Sequence, residues 1–158
     1  MVLLSSLGQK VGDYLSTVGA TLATAESCTG GLLGSVITDI PGSSAYYRGG
    51  VISYSNELKV QYLGVETYCL ERFGAVSKET VIQMAEGIRR QTGATYALAT
   101  SGIAGPGGGS ATKPVGLVYI GLAGPKGTRT SENRLSGCRK EIKAQAVQAA
   151  LEMLIDLF

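Results

Sequence analysis

Two short segments carry residue types that can do chemistry together: AESCTGG at Ala25–Gly31 and YSNELK at Tyr54–Lys59. The first joins a short apolar run to an amphipathic one, so it reads as a buried strand running into a helix. In open α/β sheets, ligands sit beyond the carboxyl ends of the strands. A helix opening there offers unpaired N–H groups and the positive end of its dipole. Ser27 at such an exit is a candidate nucleophile. The backbone amides of Thr29, Gly30 and Gly31 are candidate oxyanion donors beside it. A competing reading makes Ser27 or Thr29 a plain helix N-cap. Cys28 cannot share the pocket with Ser27, because successive strand side chains face opposite ways; core packing suits it.

A serine needs a base, and the chain has no histidine. That excludes Ser-His-Asp and Cys-His catalysis within one chain, together with His-ligated metals. If Asn56 caps a helix, Lys59 falls in its first turn, where the dipole opposes a cation. Burial would push the amine further below its usual pKa of ~10.4. A neutral lysine can accept the serine proton, and Tyr54 at the preceding strand end can relay or orient it. The competing reading is an exposed lysine beside Glu57. Asp13, Asp39 and Asp156 lie far apart in the chain, so no carboxylate metal cluster is expected, and no cofactor is called for.

Other segments are less specific. SGIAGPGGGS, Ser101–Ser110, permits close backbone approach to an anion, with a plain tight turn as the rival. It lacks both the G-K-[ST] of a P-loop and the G-x-G-x-x-G spacing. Ser110–Lys113 matches S-x-x-K but stands in a loop rather than at a helix opening. Arg139 opens the last helix and offers a planar fork for phosphate or carboxylate; a solvated surface arginine is the alternative.

The elements that must position these residues follow from periodicity. Helices are expected at Leu3–Val18, Thr29–Ile40, Asn56–Leu63, around Glu66–Phe73, at Lys78–Gln91 and at Lys140–Leu157. Strands are expected at Thr21–Glu26, Gly50–Ser55, Ala94–Ser101, Val115–Ala123 and Thr128–Leu135, the last two forming a hairpin across Gly124–Gly127. Alternating helices and strands with one late hairpin imply an α/β fold, with helices on both faces of a mixed, mostly parallel sheet.

With 158 residues, 44% apolar, 16% charged and 23 glycines, the chain suits one α/β domain over residues 1–158. Its net charge of +2 is spread along the sequence, so nucleic acid is not an expected partner. No apolar run reaches the ~20 residues of a membrane helix. Cys28, Cys69 and Cys138 form no C-x-x-C pair. With no signal-like start, they point to the reducing cytoplasm. Val115, Leu117 and Tyr119 alternate and suit the core better than a subunit seam; a homo-oligomer stays open.

Taken in order, AESCTGG, DIPGSSAYYRGGVISYSNELK, GAVS (Gly74–Ser77), SGIAGPGGGSATKPVGLVYIGLA and SGCR (Ser136–Arg139) resemble one family across roughly residues 5 to 155. The family is that of the CinA C-terminal domain, the PncC-type nicotinamide-mononucleotide amidases. The resemblance implies a three-layer α/β/α fold and hydrolysis of the carboxamide of nicotinamide mononucleotide to the acid and ammonia. It assigns Ser27 as nucleophile, with Tyr54 and Lys59 as tyrosine and lysine base. It places Ser44, Ser101 with Gly102, and Arg139 along the pocket of a small nucleotide substrate, without metal. Larger members carry an additional N-terminal pyrophosphatase-like domain, for which the matched segment leaves no room. Two departures stand out: Cys138 replaces the acidic residue usual before Arg139, and Gly107 replaces a more polar residue. A non-catalytic nucleotide-binding or competence- and damage-linked interaction domain is the alternative the family naming implies.

Overall fold

The computed structural model describes residues 2–158. In chain order they form α1 (Val2–Val18), β1 (Leu22–Glu26), α2 (Leu32–Thr38), a 3-10 turn (Ser43–Ala45), β2 (Tyr47–Ile52), α3 (Asn56–Leu63) and α4 (Thr67–Phe73). They continue through α5 (Lys78–Thr92), β3 (Tyr96–Gly102), β4 (Leu117–Gly124), β5 (Gly127–Arg134) and α6 (Arg139–Ile155). The five strands make one mixed sheet in the order β2-β1-β3-β4-β5. It is parallel through β2, β1 and β3 and antiparallel through β4 and β5. Helices cover both faces, giving the three-layer α/β/α architecture expected from the sequence.

Side-chain size divides the two faces. Leu22, Leu98, Val118, Ile120 and Leu122 pack under α1, α2 and α6. On the other face the strands present Ala23, Ala25, Ala97, Ala99 and Ala123 to Val81, Met84, Ala85 and Ile88 of α5. Alanines let α5 lie close, and at Gly121 a Cβ would stand 2.7 Å from the Val81 carbonyl oxygen. α3 in turn lies close on α5, where a Cβ at Gly87 would overlap the carbonyl of Leu63. Gly87→Ala must push α3 outward. It is expected to destabilise the domain by about 2 kcal/mol and to lower its melting temperature by about 5 °C in a circular-dichroism melt.

Several boundaries differ from expectation for local reasons. α2 starts at Leu32 rather than Thr29, because Gly30 (φ 61°) and Gly31 (φ 100°) take left-handed backbone. β2 ends at Ile52, three residues before the expected Ser55. Ser55 instead caps α3, accepting from the Leu58 amide at 3.2 Å, so the cap is Ser55 and not Asn56. α6 begins at Arg139, where the Glu141 carboxylate accepts from the Cys138 amide at 2.7 Å. No helix among the described residues is long and apolar enough to cross a membrane.

Candidate active site

The C-terminal ends of β1, β2 and β3 are drawn together by backbone bonds. The Ser27 amide donates to the Thr100 carbonyl at 3.0 Å, and the Ser53 amide donates to the Glu26 carbonyl at 2.9 Å. β1 alternation sends Glu26 and Cys28 toward α2 and α6, and Ser27 toward α3. Cys28 accordingly joins the core on the α6 side, and burial pushes its thiol up to about 11.

Lys59 lies on α3 one turn past the Ser55 cap, with only 1% of its surface exposed. Its Nζ lies 3.1 Å from Ser27 Oγ and donates to the Ser53 carbonyl at 2.7 Å. Removal from water pushes the amine down to about 8, slightly opposed by the neighbouring Cys28 thiol. A minor fraction of Lys59, roughly a tenth at pH 7, is then neutral, far more than for an exposed lysine, and its lone pair is available to the Ser27 hydroxyl.

The pair opens onto a cleft of about 290 Å³. Tyr54, Asn56, Ser101, Gly102, Gly105 and Arg139 contribute to its walls. Ser101, on the same strand face as Ser27, spends its hydroxyl on the Ala75 carbonyl at 2.7 Å and so fixes the Gly74–Ser77 wall. At Gly102 a Cβ would meet Val118 at 2.6 Å, so glycine there lets β3 and β4 close behind the cleft. Arg139 donates to the Gly105 carbonyl at 2.7 Å and to the Tyr54 hydroxyl at 3.0 Å, strapping the glycine loop to the cleft mouth. Tyr54 is 61% exposed. Its hydroxyl is held by Arg139, not by Lys59 or Ser27. A larger cavity, about 380 Å³ around Tyr14, Tyr96, Lys126 and Arg129, lies by the β4–β5 turn and is lined by neither Ser27 nor Lys59.

The expected oxyanion arrangement changes in one respect. The Gly30 amide donates to the Ser27 carbonyl at 3.0 Å, so it is consumed by the turn and does not face a substrate. Thr29 is fully buried, with its hydroxyl between Glu26 Oε1 and Thr100 Oγ1 at 2.7 Å each. Neither Thr29, Gly30 nor Gly31 lines the cleft. Gly31 packs instead toward Ile52, whose Cδ1 would stand 3.0 Å from an added Cβ. The amides of Cys28 and Thr29 have no backbone partner among the described residues. Cys28 is the one of these two residues that lines the cleft.

Ser44 also lies away from this cleft. It is exposed in the 3-10 turn that enters β2 beside the start of β1. The five residues of β1 put about 16 Å of strand between that end and Ser27.

Two residues of the site were not singled out from sequence. Glu26, 2% exposed, accepts from the amides of Leu33 at 2.9 Å and Gly34 at 3.0 Å. It therefore fills, from within the chain, the anion seat at the start of α2. An acid ending a buried apolar run directly before a helix is the signal that could have found it. Ser53 is the second, visible only once its carbonyl is seen on Lys59.

A three-layer α/β/α domain with a buried serine-lysine pair at the carboxyl ends of parallel strands defines the class of this molecule. The sequence profile of the CinA C-terminal domain matches residues 4–158, and the chain belongs to that family. It is 57% identical over 120 residues to a CinA-like protein of Desulforapulum autotrophicum, covering 76% of this chain and 28% of that protein. It is 49% identical over 152 residues to a CinA-like protein of Chlorobium limicola, covering 93% and 35% respectively. The chain thus spans about a third of the length of the curated relatives it matches. Among solved structures, the competence/damage inducible protein CihA from Agrobacterium tumefaciens superposes with TM-score 0.96 at 44% identity, covering 98% of this chain and 95% of that one. A CinA superfamily protein from Klebsiella pneumoniae superposes with TM-score 0.94 at 35% identity, covering 97% and 96%.

Proposed function

We propose that this domain is an amidohydrolase that removes ammonia from the carboxamide of nicotinamide mononucleotide, leaving the acid mononucleotide. The observation that carries the reading is the 3.1 Å contact between Lys59 Nζ and Ser27 Oγ in a cleft. The chain has no histidine to supply another base. The motif resemblance supplies the substrate class.

In this mechanism Lys59 takes the Ser27 proton as Oγ bonds to the carboxamide carbon, and the carbonyl electron pair moves onto oxygen. Backbone N–H at Cys28 supports that oxygen. The tetrahedral intermediate collapses as the C–N bond breaks. Lys59 returns the proton to the departing nitrogen, giving ammonia and an acyl-serine. Lys59 then takes a proton from water, whose oxygen attacks the ester, and returns it to Ser27 as the acid leaves. Arg139 is the cation at the mouth and would receive the phosphate. Tyr54, beside it, accepts from Arg139 and keeps its own O–H free to donate to the bound nucleotide, which it positions.

Incubation with nicotinamide mononucleotide while following ammonia tests the activity. Tight binding of the mononucleotide without ammonia release selects a non-catalytic nucleotide-binding domain instead. Because Lys59 must be neutral to accept a proton, kcat/KM is expected to rise with pH along a single limb centred near the amine's pKa of about 8. A flat profile from pH 6 to 9 removes Lys59 from the role of base.

A further inference from the structure

Ser53 stands where three features of the site converge. Its amide holds the Glu26 carbonyl, one residue before the nucleophile. Its carbonyl accepts from Lys59 Nζ at 2.7 Å. Its side chain is wholly buried, and its hydroxyl makes no hydrogen bond to any described residue. Buried hydroxyls are ordinarily paired, and the other unpaired one, on Tyr46, lies against α1 at Gly12, away from the cleft.

We propose that the Ser53 hydroxyl is held in reserve for the protonated form of Lys59, making Ser53 a positioning residue for the base. This rests on the serine-lysine reading above. The neutral amine has two N–H groups and a lone pair. The carbonyl of Ser53 takes one N–H, and Ser27 faces the lone pair. When the Ser27 proton moves to Nζ as Oγ bonds to carbon, the ammonium has three N–H groups at a nitrogen almost wholly buried by the protein. The carbonyl keeps one, the departing group or the new Ser27 ester region receives the second, and the third needs an acceptor. A change of Ser53 χ1 among its staggered positions is required to bring the hydroxyl oxygen to the nitrogen its carbonyl already holds. A hydrogen bond from an ammonium is roughly twice as strong as one from a neutral amine. The hydroxyl therefore holds the charged form more strongly than the neutral one, which favours the transition state over the neutral ground state.

Other charges around Lys59 are committed elsewhere. Glu26 turns its carboxylate to α2 and Thr29. Tyr54 and Arg139 hold each other. On α5, which packs against α3, Glu86 accepts from Thr128 and Arg90 lies beside Gly64. The Cys28 thiol is the titratable neighbour that acts on Lys59.

The test compares Ser53→Ala and Ser53→Thr with wild type by melting temperature, by ammonia release from nicotinamide mononucleotide across pH, and by NMR titration of the Lys59 side chain. Ser53→Ala removes an unpaired buried hydroxyl and is expected to melt no lower than wild type. Its kcat is expected to fall about tenfold, the loss of one hydrogen bond to a charged group. The Lys59 titration and the limb of kcat/KM both move to lower pH, and Ser53→Thr, which keeps the hydroxyl, restores most of the rate. An unmoved Lys59 titration in Ser53→Ala overturns the proposal, whether the rate is retained or falls in step with stability. Should wild type release no ammonia, the amidase reading fails while the Lys59 titration still decides this one.

Discussion

Lys59→Met should lose ammonia release by about a thousandfold or more, because serine without a base is a weak nucleophile and general-base catalysis contributes on that scale. The same variant should fold at least as well as wild type. Methionine matches the lysine stem in volume, and it removes an amine that is 1% exposed and held without any carboxylate. Burying such a group costs free energy that methionine does not. The pH dependence of folding gives a separate check. The amine ionises at about 8 in the folded chain and at its ordinary value of 10.5 when unfolded. Between those two values the unfolded chain binds the extra proton, so this group makes stability rise with pH across that window. Subtracting the Lys59→Met stability profile from that of wild type should expose this rise. Ser27→Ala, with the base left in place, should be equally inactive, and pairing the two substitutions should add little further loss.

The second large effect is on stability. Glu26→Ala removes one buried carboxylate, strands the amides of Leu33 and Gly34, and leaves the Thr29 hydroxyl with Thr100 alone. Each lost bond involves a charged acceptor, and water reaches the site poorly. A loss of about 4 kcal/mol is expected, and with it about 10 °C in melting temperature. Activity at low temperature should fall as well, since Ser27 is the next residue along the chain and its turn, closed by the Gly30 amide, contains Thr29, which Glu26 holds. Glu26→Gln keeps the shape and part of the accepting capacity and should lie between. A Glu26→Ala protein melting within 2 °C of wild type would mean that the start of α2 is held by something other than this carboxylate.

The pair at the centre of the site was legible because both partners sit in motifs whose local structure is simple. Ser27 ends an apolar strand, Lys59 falls one turn into a capped helix, and no imidazole competes for the part. What escaped depends on bonds between segments far apart in sequence. Glu26 reads as an ordinary acid until the turn through Gly30 and Gly31 brings the amides of Leu33 and Gly34 back onto it. The Gly30 amide looked free because nothing in AESCTGG says that the Ser27 carbonyl will claim it. Ser44 belongs to a motif in the right order along the chain, but β2 runs parallel to β1. The turn preceding β2 must therefore fall at the opposite end of the sheet from Ser27. The fold was legible for a coarser reason: the helix and strand periods are long and uninterrupted, and glycine marks where they break.

The strap across the cleft mouth bears on how an anion would be received. A guanidinium carries five N–H groups, and Arg139 commits one to a carbonyl and one to a phenol. Three vectors stay open to an incoming guest, so docking enlarges an existing handshake rather than breaking one, and the doorway keeps its outline as the visitor arrives.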